Sequence, residues 1–186
     1  MRPLESDTPN LRGQLLIAHP AMRDPNFRRT ILLLSMHDTE NGAFGLVINR
    51  PTNKKLADYL PDGSRELLVD VPVYIGGPVG SDELTIVSFR WEATEGQITI
   101  LSHLSLDQAE QVKANDPGTL RAFRGYAGWS AGQLESELQQ SAWLVYPPTK
   151  EVLDAADDEK AWYRLVSSLG PAYRLLALAP DDPSLN

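Results

Sequence analysis

The chain has 186 residues, of which 42% are apolar and 23% are charged, and it contains no cysteine. These values are typical of one folded domain, and the lack of cysteine excludes disulfides, thiolate catalysis and cysteine-ligated metal sites. The formal net charge of −8 disfavours autonomous binding to nucleic acid, whose phosphates repel an acidic protein at long range.

The charge is unevenly distributed along the chain. Residues 1–60 hold 8 lysines and arginines against 6 acidic residues, whereas residues 61–186 hold 9 against 19. A basic patch is therefore expected only in the N-terminal third. The first ten residues lack the apolar core of a signal peptide, and no stretch approaches the ~18 apolar residues of a membrane span. We expect a cytoplasmic protein that makes no contact with a membrane.

The first half of the chain predicts mainly strands. Ala21–Arg29 is interpreted as a loop, and Lys54–Leu60 as one helical turn. The Asn41-Gly42 pair is typical of a hairpin turn, which predicts an antiparallel pairing of the strands on either side of it. The candidate strands in chain order are Gln14–Ala18, Thr30–Met36, Ala43–Ile48, Val71–Ile75, Glu83–Phe89 and Gln97–Leu101.

The second half predicts mainly helices. Ser105 and Gln108 fit a capping box for a helix that ends near Asp116-Pro117-Gly118. Further helices are predicted over Ser130–Gln140 and Asp157–Leu169. The intervening strand candidates are Leu120–Tyr126 and Ala142–Tyr146. Strands first and helices later favour an α+β fold. No change of composition marks a second domain, so we expect one domain over residues 11–178 between flexible tails at 1–10 and 179–186.

Several segments, in this order, resemble the AlgH/YqgE family of bacterial proteins. The stretch that begins FRGYAGWSAGQLESE is the most specific of them, and a weaker match, AWYRLVSSLG, follows at Ala161–Gly170. The four main segments are LLIAHPAMRDPNFRRT at Leu15–Thr30, NGAFGLVINRP at Asn41–Pro51, VYIGGPV at Val73–Val79 and the stretch Phe123–Leu144.

The resemblance covers nearly the whole chain and implies a fold rather than an activity. The expected fold is a curved, barrel-like, mostly antiparallel or mixed sheet with flanking helices. The family is often labelled as transcriptional regulators, but no activity is firmly established for it.

The segment Gly128–Gly132 (GWSAG) matches the Gly-x-Ser-x-Gly nucleophile elbow of α/β-hydrolases. A nucleophilic serine needs an imidazole or equivalent base within reach, and in that fold the histidine follows the serine along the chain. Here the three histidines all come earlier: His19, His37 and His103. We therefore interpret Ser130 and Gln133 as a capping box, which is worth ~1 kcal/mol to a helix.

The glycines of the same run admit two interpretations. Gly125 and Gly128 permit positive φ or a close backbone approach, and the predicted helix start that follows Trp129 could bind an anion through its N–H groups. Tight packing beneath Tyr126 and Trp129 is the alternative. On the first interpretation, Gly125, Gly128 and Trp129 are candidate ligand-binding residues.

A second candidate site lies in the basic third of the chain. The predicted hairpin places Arg28 and Arg29, which precede its first strand, at the same end as Asn49 and Arg50, which follow its second strand. Converging guanidinium groups suit the recognition of phosphate or carboxylate through paired hydrogen bonds. The alternative is a solvated face on which these arginines form structural ion pairs with neighbouring aspartates.

Neither a cofactor nor a metal is expected. His37-Asp38 with Glu40 is interpreted as a polar loop, because paired histidines at metal-binding spacing are absent. Gly76-Gly77-Pro78 lacks the Lys-Ser/Thr of a phosphate-binding loop, so we interpret it as a bend between strands.

Three hypotheses of function remain. The first is a non-enzymatic binding or regulatory module that acts through a protein partner or a small anionic ligand. The second is a DNA-associated transcriptional regulator, although no helix-turn-helix is evident and the helical half is the acidic half. The third is an enzyme of unknown class, in which the hydrolase motif is the literal match.

Overall fold

The computed structural model describes residues 10–61, 65–115, 119–155, 158 and 160–178. These residues form nine strands and five α-helices. The strands are β1 Leu15–Ala18, β2 Ile31–Asp38, β3 Gly42–Val47, β4 Pro51–Lys55, β5 Pro72–Ile75, β6 Val79–Glu92, β7 Gln97–Leu101, β8 Thr119–Trp129 and β9 Trp143–Tyr146. The helices are α1 Leu106–Asn115, α2 Gln133–Gln139, α3 Lys150–Ala155, α4 Ala161–Ser168 and α5 Pro171–Leu178.

The nine strands form one mixed sheet that curls into a half-barrel. Its main path runs in the order β4-β5-β8-β3-β2-β1-β9, and β6 pairs with both β7 and β8 beside that path. Strand β5 runs parallel to β8, and the other pairings are antiparallel. The single-domain α+β fold with a curved mixed sheet is therefore confirmed.

Strand β8 changes partners along its length. Its first part pairs with β5 and β6, in a register that joins Tyr74 to Phe123. Its last part pairs with β3, where Gly45 lies opposite Ala127. Gly125 lies between the pairing with β5 and the pairing with β3 and has a φ of +66°, a conformation that glycine adopts without a steric penalty. This change of partner helps to turn the sheet into a curve.

The sheet carries hydrophobic clusters on both of its faces. Leu15, Ile31 and Leu33 belong to one cluster, which also contains Phe123 and Trp162. The alternate residues of the same strands belong to a second cluster with Trp129, Leu134 and Trp143; they are Leu16, Ala18, Leu32 and Leu34. Strands β1 and β2 are therefore covered on both faces, which is why Ile31–Leu34 is apolar at every position.

Several local predictions are confirmed. Strands β2 and β3 form an antiparallel hairpin with Leu32 opposite Val47. Helix α1 has its capping box: the Ser105 N–H donates to Gln108 Oε1 at 2.9 Å, and the Gln108 N–H donates to Ser105 Oγ at 3.2 Å. Helix α4 lies within the predicted helix Asp157–Leu169 and buries Trp162, Leu165 and Val166.

Other element predictions are wrong in extent. The predicted helical turn over Lys54–Leu60 begins two residues later, as a 3-10 turn at Leu56–Tyr59, because Lys55 still belongs to β4. Helices α2 and α4 begin later than predicted, and α3 was not predicted. Helix α5 is not predicted either: Gly170-Pro171 follows the predicted end of the preceding helix at Leu169, and α5 begins directly at Pro171. Proline is in fact well suited to the first position of a helix, where no N–H is needed.

Some predictions fall outside the described residues. These are the structures of residues 1–9 and 179–186, the helix end at Asp116-Pro117-Gly118, and the predicted helix start at Asp157. The domain bounds at residues 11 and 178 stay a prediction.

Candidate functional site

The four polar residues at the end of the β2–β3 hairpin surround one cavity of about 330 Å³, which we call the arginine cavity. Strand β2 begins where β3 ends, because the two strands run antiparallel. Pro51 and Ile75 complete the lining. The described lining therefore holds three arginines and no carboxylate, which gives it a positive formal charge. The lining residues are Arg28, Arg29, Asn49, Arg50, Pro51 and Ile75.

Asn49 acts as a brace between the strands and the loop. Its side chain is buried, with only 1% of the residue exposed. Its Oδ1 accepts a hydrogen bond from the Ile31 N–H at 2.8 Å, and its Nδ2 donates to the Arg29 carbonyl at 3.0 Å. The Asn49 amide therefore fixes the backbone that carries Arg29 and the first residue of β2.

Arg50 holds the preceding loop through backbone carbonyl groups. Its Nη1 donates to the Asn26 carbonyl at 2.7 Å, and its Nη2 donates to the Arg28 carbonyl at 3.1 Å. A longer bond of 3.3 Å joins Nη2 to the carbonyl of Pro25. This guanidinium therefore shapes one wall of the cavity and also contributes its charge.

Arg28 and Arg29 present exposed side chains at the cavity. Arg29 has a positive φ of 57°, which is uncommon for a residue with a side chain, and its guanidinium carbon lies 6.0 Å from the ring centroid of Trp162. The Trp162 indole is itself fixed, because its Nε1 donates to the Ala18 carbonyl at 2.9 Å. Helix α4 thus supports the arginine side of the cavity.

The neighbouring lysines of β4 do not line the arginine cavity. Lys54 lies over the Tyr59 ring at 5.4 Å, and Lys55 Nζ forms an ion pair with Asp70 at 2.5 Å. The hydrogen bond and charge of Lys55 hold the pKa of the Asp70 carboxyl below its ordinary value. The lysines therefore belong to the β4 surface.

Gly125, Gly128 and Trp129 lie outside the arginine cavity. A Cβ atom on Gly125 would lie 2.4 Å from the Gly77 carbonyl oxygen, so the absence of a side chain allows two backbone segments to touch. At Gly128 a Cβ atom would meet the Tyr126 ring at 3.2 Å. Packing of this kind accounts for both glycines. Their assignment to a ligand site stays a prediction, and the structure does not bring them together with the arginines.

Trp129 is held by Glu137, a residue that is not among those predicted from the sequence. The indole Nε1 atoms of Trp129 and Trp143 both donate to Glu137 Oε2, at 2.9 Å and 2.7 Å. The two indoles meet edge to face with 6.0 Å between their centroids, and Phe27 contacts both of them. Because Phe27 lies beside Arg28, this cluster, which we call the tryptophan clasp, also anchors the arginine loop.

The interpretation of Ser130 as a helix cap is wrong. Helix α2 begins at Gln133, with Gly132 at the cap position in the left-handed conformation and no capping side chain. The Gln133 side chain does accept the Ser130 N–H at 3.1 Å, but the Ser130 hydroxyl donates to the same oxygen instead of accepting a helix N–H. The Gln133 N–H donates to the Ser130 carbonyl at 3.0 Å, which makes this segment a turn.

His37 is buried at the other end of the hairpin, near α2. Its Nδ1 accepts the Leu11 N–H at 3.1 Å, so Nδ1 carries no proton and Nε2–H donates to Glu135 Oε1 at 2.9 Å. Both ring nitrogens are therefore engaged, and neither bonds to Ser130. The geometry at Ser130 gives no support to a serine nucleophile activated by this imidazole.

Arg121, a buried arginine on β8 that lines a second cavity, is not among the residues predicted from the sequence. An arginine between Leu120 and Ala122, in a segment predicted as a strand, was the available signal. Among the described residues, no group of three or more histidines and carboxylates could hold a metal ion. None of the helices in the described part of the chain is long and apolar enough to cross a membrane.

Comparisons with known proteins agree with this architecture. The model of the AlgH-like family matches residues 15–174. A UPF0301 protein of Streptomyces coelicolor is 35% identical over 193 aligned residues, covering 97% of this chain and 98% of its own. A UPF0301 protein of Chlorobium limicola is 33% identical and covers 94% of this chain and 95% of its own.

Solved structures show the same fold. The solution structure of the AlgH protein from Pseudomonas aeruginosa has a TM-score of 0.65 at 32% identity, over 97% of this chain and 98% of its own. The crystal structure of a protein from Corynebacterium diphtheriae has a TM-score of 0.66 at 19% identity, over 95% of each chain. The chain belongs to the AlgH-like family, as its motifs predict. The names of these relatives specify no activity.

Proposed function

We propose that the protein is a non-enzymatic, cytoplasmic binding module that takes a small anionic ligand in the arginine cavity and acts in regulation. One observation carries this proposal: three arginines converge on a single cavity. Guanidinium groups form short, charge-assisted bonds to phosphate and carboxylate oxygens, often in pairs.

The lining residues divide into two roles. Asn49 and Arg50 hold the loop through hydrogen bonds to its backbone, whereas Arg28 and Arg29 are the exposed cations that contact the ligand. Because the loop is fixed beforehand, little conformational entropy is lost when the anion binds. The cavity of about 330 Å³ is at the small end of ligand sites, which favours a phosphorylated metabolite or a mononucleotide.

Titration with inorganic phosphate, pyrophosphate and AMP tests the proposal, with binding followed by ¹H–¹⁵N NMR. We expect affinities on the order of 1 mM or tighter, and shifts that concentrate on Arg28, Arg29 and Arg50. Arg28→Gln and Arg29→Gln should each weaken binding by about tenfold, which corresponds to ~1.4 kcal/mol.

Arg12→Gln is the matched control, because Arg12 is exposed and its neighbour Leu11 bonds to His37, near the opposite end of the hairpin. It removes the same charge and should leave the affinity unchanged. An equal loss of affinity in all three variants would show that only the net charge of the protein matters for binding. No shift around the cavity at millimolar ligand would overturn the ligand proposal.

The alternatives receive less support from the structure. Each described helix carries at most one lysine or arginine, whereas a helix that enters a DNA groove usually presents several basic residues. A blank gel shift at low salt is therefore expected. For the hydrolase alternative, Ser130→Ala should leave any esterase activity unchanged.

A further inference from the structure

The second cavity has a volume of about 310 Å³ and shares no lining residue with the arginine cavity. It opens between the end of β3, strand β6 and helix α3. Ile48 lines this cavity, and its neighbour Asn49 lines the other. The two cavities therefore adjoin the same short stretch of chain, just after the end of β3.

Arg121 is the charged group in the interior of this cavity. Only 6% of the residue is exposed, and its guanidinium carbon lies 4.8 Å from the ring centroid of Tyr74. Its Nη1 donates to the Ile48 carbonyl at 3.3 Å, and its Nη2 is 3.5 Å from the Leu153 carbonyl. These contacts fix the direction in which the guanidinium plane faces.

The other charged residues lie at the rim. Lys150 and Asp154 form an ion pair, and their side chains are 62% and 56% exposed. Arg90 is paired with Glu92 at 2.6 Å, and about half of its side chain is exposed. The two rim cations are thus each paired with a carboxylate, and Arg121 is the cation that the interior of the cavity presents to a ligand.

The walls between the interior and the rim are apolar. Ile48 and Phe89 are buried, and Trp91 and Leu153 are half-buried closer to solvent. Phe89 and Trp91 are alternate residues of β6, which places their side chains on one face of the strand. A ligand that fits this lining needs an apolar body as well as a negative charge.

We propose that this second cavity binds a small amphipathic anion, in which one carboxylate is attached to an aliphatic or aromatic body. The carboxylate accepts hydrogen bonds from Arg121, and the body packs against Phe89, Trp91 and Leu153. Charge-assisted hydrogen bonds are stronger in a poorly solvated site than in water. The apolar body is removed from water at the same time, so both parts of the ligand are required.

Octanoate is the probe, and 1-octanol and acetate are its matched controls. Octanol keeps the apolar body without the charge, and acetate keeps the charge without the body. We expect octanoate to shift the indole N–H signal of Trp91 and the Nε–H signal of Arg121 in ¹H–¹⁵N spectra. Octanol and acetate should each bind at least about tenfold more weakly.

Two variants separate the roles of charge and space. Arg121→Met removes the cation while keeping an unbranched side chain, and should weaken octanoate by about tenfold while leaving octanol unchanged. Ala93→Trp places a bulky ring at an exposed rim position and should weaken both probes. Arg124→Met is the control on the same strand, because Arg124 donates to the Ser81 carbonyl and does not line the cavity.

Equal binding of octanoate and octanol would overturn the proposal, as would unchanged octanoate affinity in a folded Arg121→Met protein. If Arg121→Met does not fold, Ala93→Trp tests the proposal instead. Octanoate binding that is unchanged when the rim is blocked would show that octanoate does not bind in this cavity. Phosphate binding at Arg28 and Arg29 is read from different signals. Either proposal can therefore fail while the other stands.

Discussion

The tryptophan clasp makes Glu137 the most informative single residue for testing how the family motif stabilises the fold. One carboxylate oxygen, Oε2, accepts the indole N–H groups of both Trp129 and Trp143. Both tryptophans are buried, with 5% and 3% of their surfaces exposed. Glu137→Ala removes the shared acceptor and leaves two indole donors in a largely apolar cluster.

The expected cost follows from the two bonds. A hydrogen bond to a charged group contributes about 1.5–3 kcal/mol, so two of them give about 3–6 kcal/mol. Glu137 itself is half-exposed, and water that enters its place can satisfy one donor. We therefore expect Glu137→Ala to lower the free energy of unfolding by about 3 kcal/mol. Glu137→Gln keeps an oxygen acceptor and should cost about 1 kcal/mol.

Urea unfolding followed by far-ultraviolet circular dichroism measures these changes without depending on tryptophan emission. Gln139→Ala is the control, because Gln139 is exposed on the same helix and its replacement should change stability by less than about 0.5 kcal/mol. Double-mutant cycles of Glu137→Ala with Trp129→Phe and Trp143→Phe should each give a coupling energy of about 1–2 kcal/mol. A cost below about 0.5 kcal/mol for Glu137→Ala, with no coupling to either tryptophan, would refute this account of the clasp.

Three further predictions concern the turns and the hairpin. Gly125→Ala should lower the free energy of unfolding, measured in urea, by at least about 3 kcal/mol, because its Cβ atom would meet a backbone oxygen at 2.4 Å. Gly132→Ala is the control: its φ is also positive, but nothing lies within 4 Å of the added Cβ atom, so it should lower that free energy by only about 1 kcal/mol. Equal losses in the two variants would contradict the packing argument. Asn49→Ala should lower the free energy of unfolding by about 2–3 kcal/mol, because it leaves the Ile31 N–H and the Arg29 carbonyl without their side-chain partner. A thermal unfolding midpoint within error of the wild type would show that Asn49 does not brace the loop. Hydrogen bonds from the backbone N–H groups of Asn41 and Glu40 hold the pKa of the Asp38 carboxyl below its ordinary value of 3.8. The stabilisation that ionised Asp38 contributes is therefore complete above pH 3.8 and is lost as the pH falls below that value. The stability difference between the wild type and Asp38→Asn should accordingly shrink with acid below that value, and a constant difference would show that the charge is irrelevant.

Local sequence patterns predict the structure correctly where it depends on residues that are close together in the chain. The Asn41-Gly42 turn predicts the hairpin, and the hairpin places Arg28 and Arg50 at the same end by strand direction alone. The capping box of α1 forms between Ser105 and Gln108, because its two residues are only three positions apart in the sequence. In these cases the partners are neighbours in sequence or are brought together by one turn.

The sequence was insufficient where a distant partner decides the structure. Strand β4 has the polar sequence PTNKK and is largely exposed, so no apolar alternation marks it, and its pairing with β5 makes it a strand. Ser130 matches a cap motif, but its position at the end of the β8–β3 ladder moves the helix start to Gln133. The sequence places Arg121 between two apolar residues of a predicted strand, but its partners, the carbonyl groups of Ile48 and Leu153, come from distant parts of the chain.

The position of β8 in the sheet has a consequence for synthesis of the protein. Strand β8 pairs with β3, β5 and β6, all of which precede it along the chain, and β9 later covers the edge of β1. While the ribosome has released only the first half, these strands have exposed edges that invite pairing with other chains. The nascent chain therefore depends on rapid emergence of Thr119–Trp129, and a pause before that segment favours aggregation over folding.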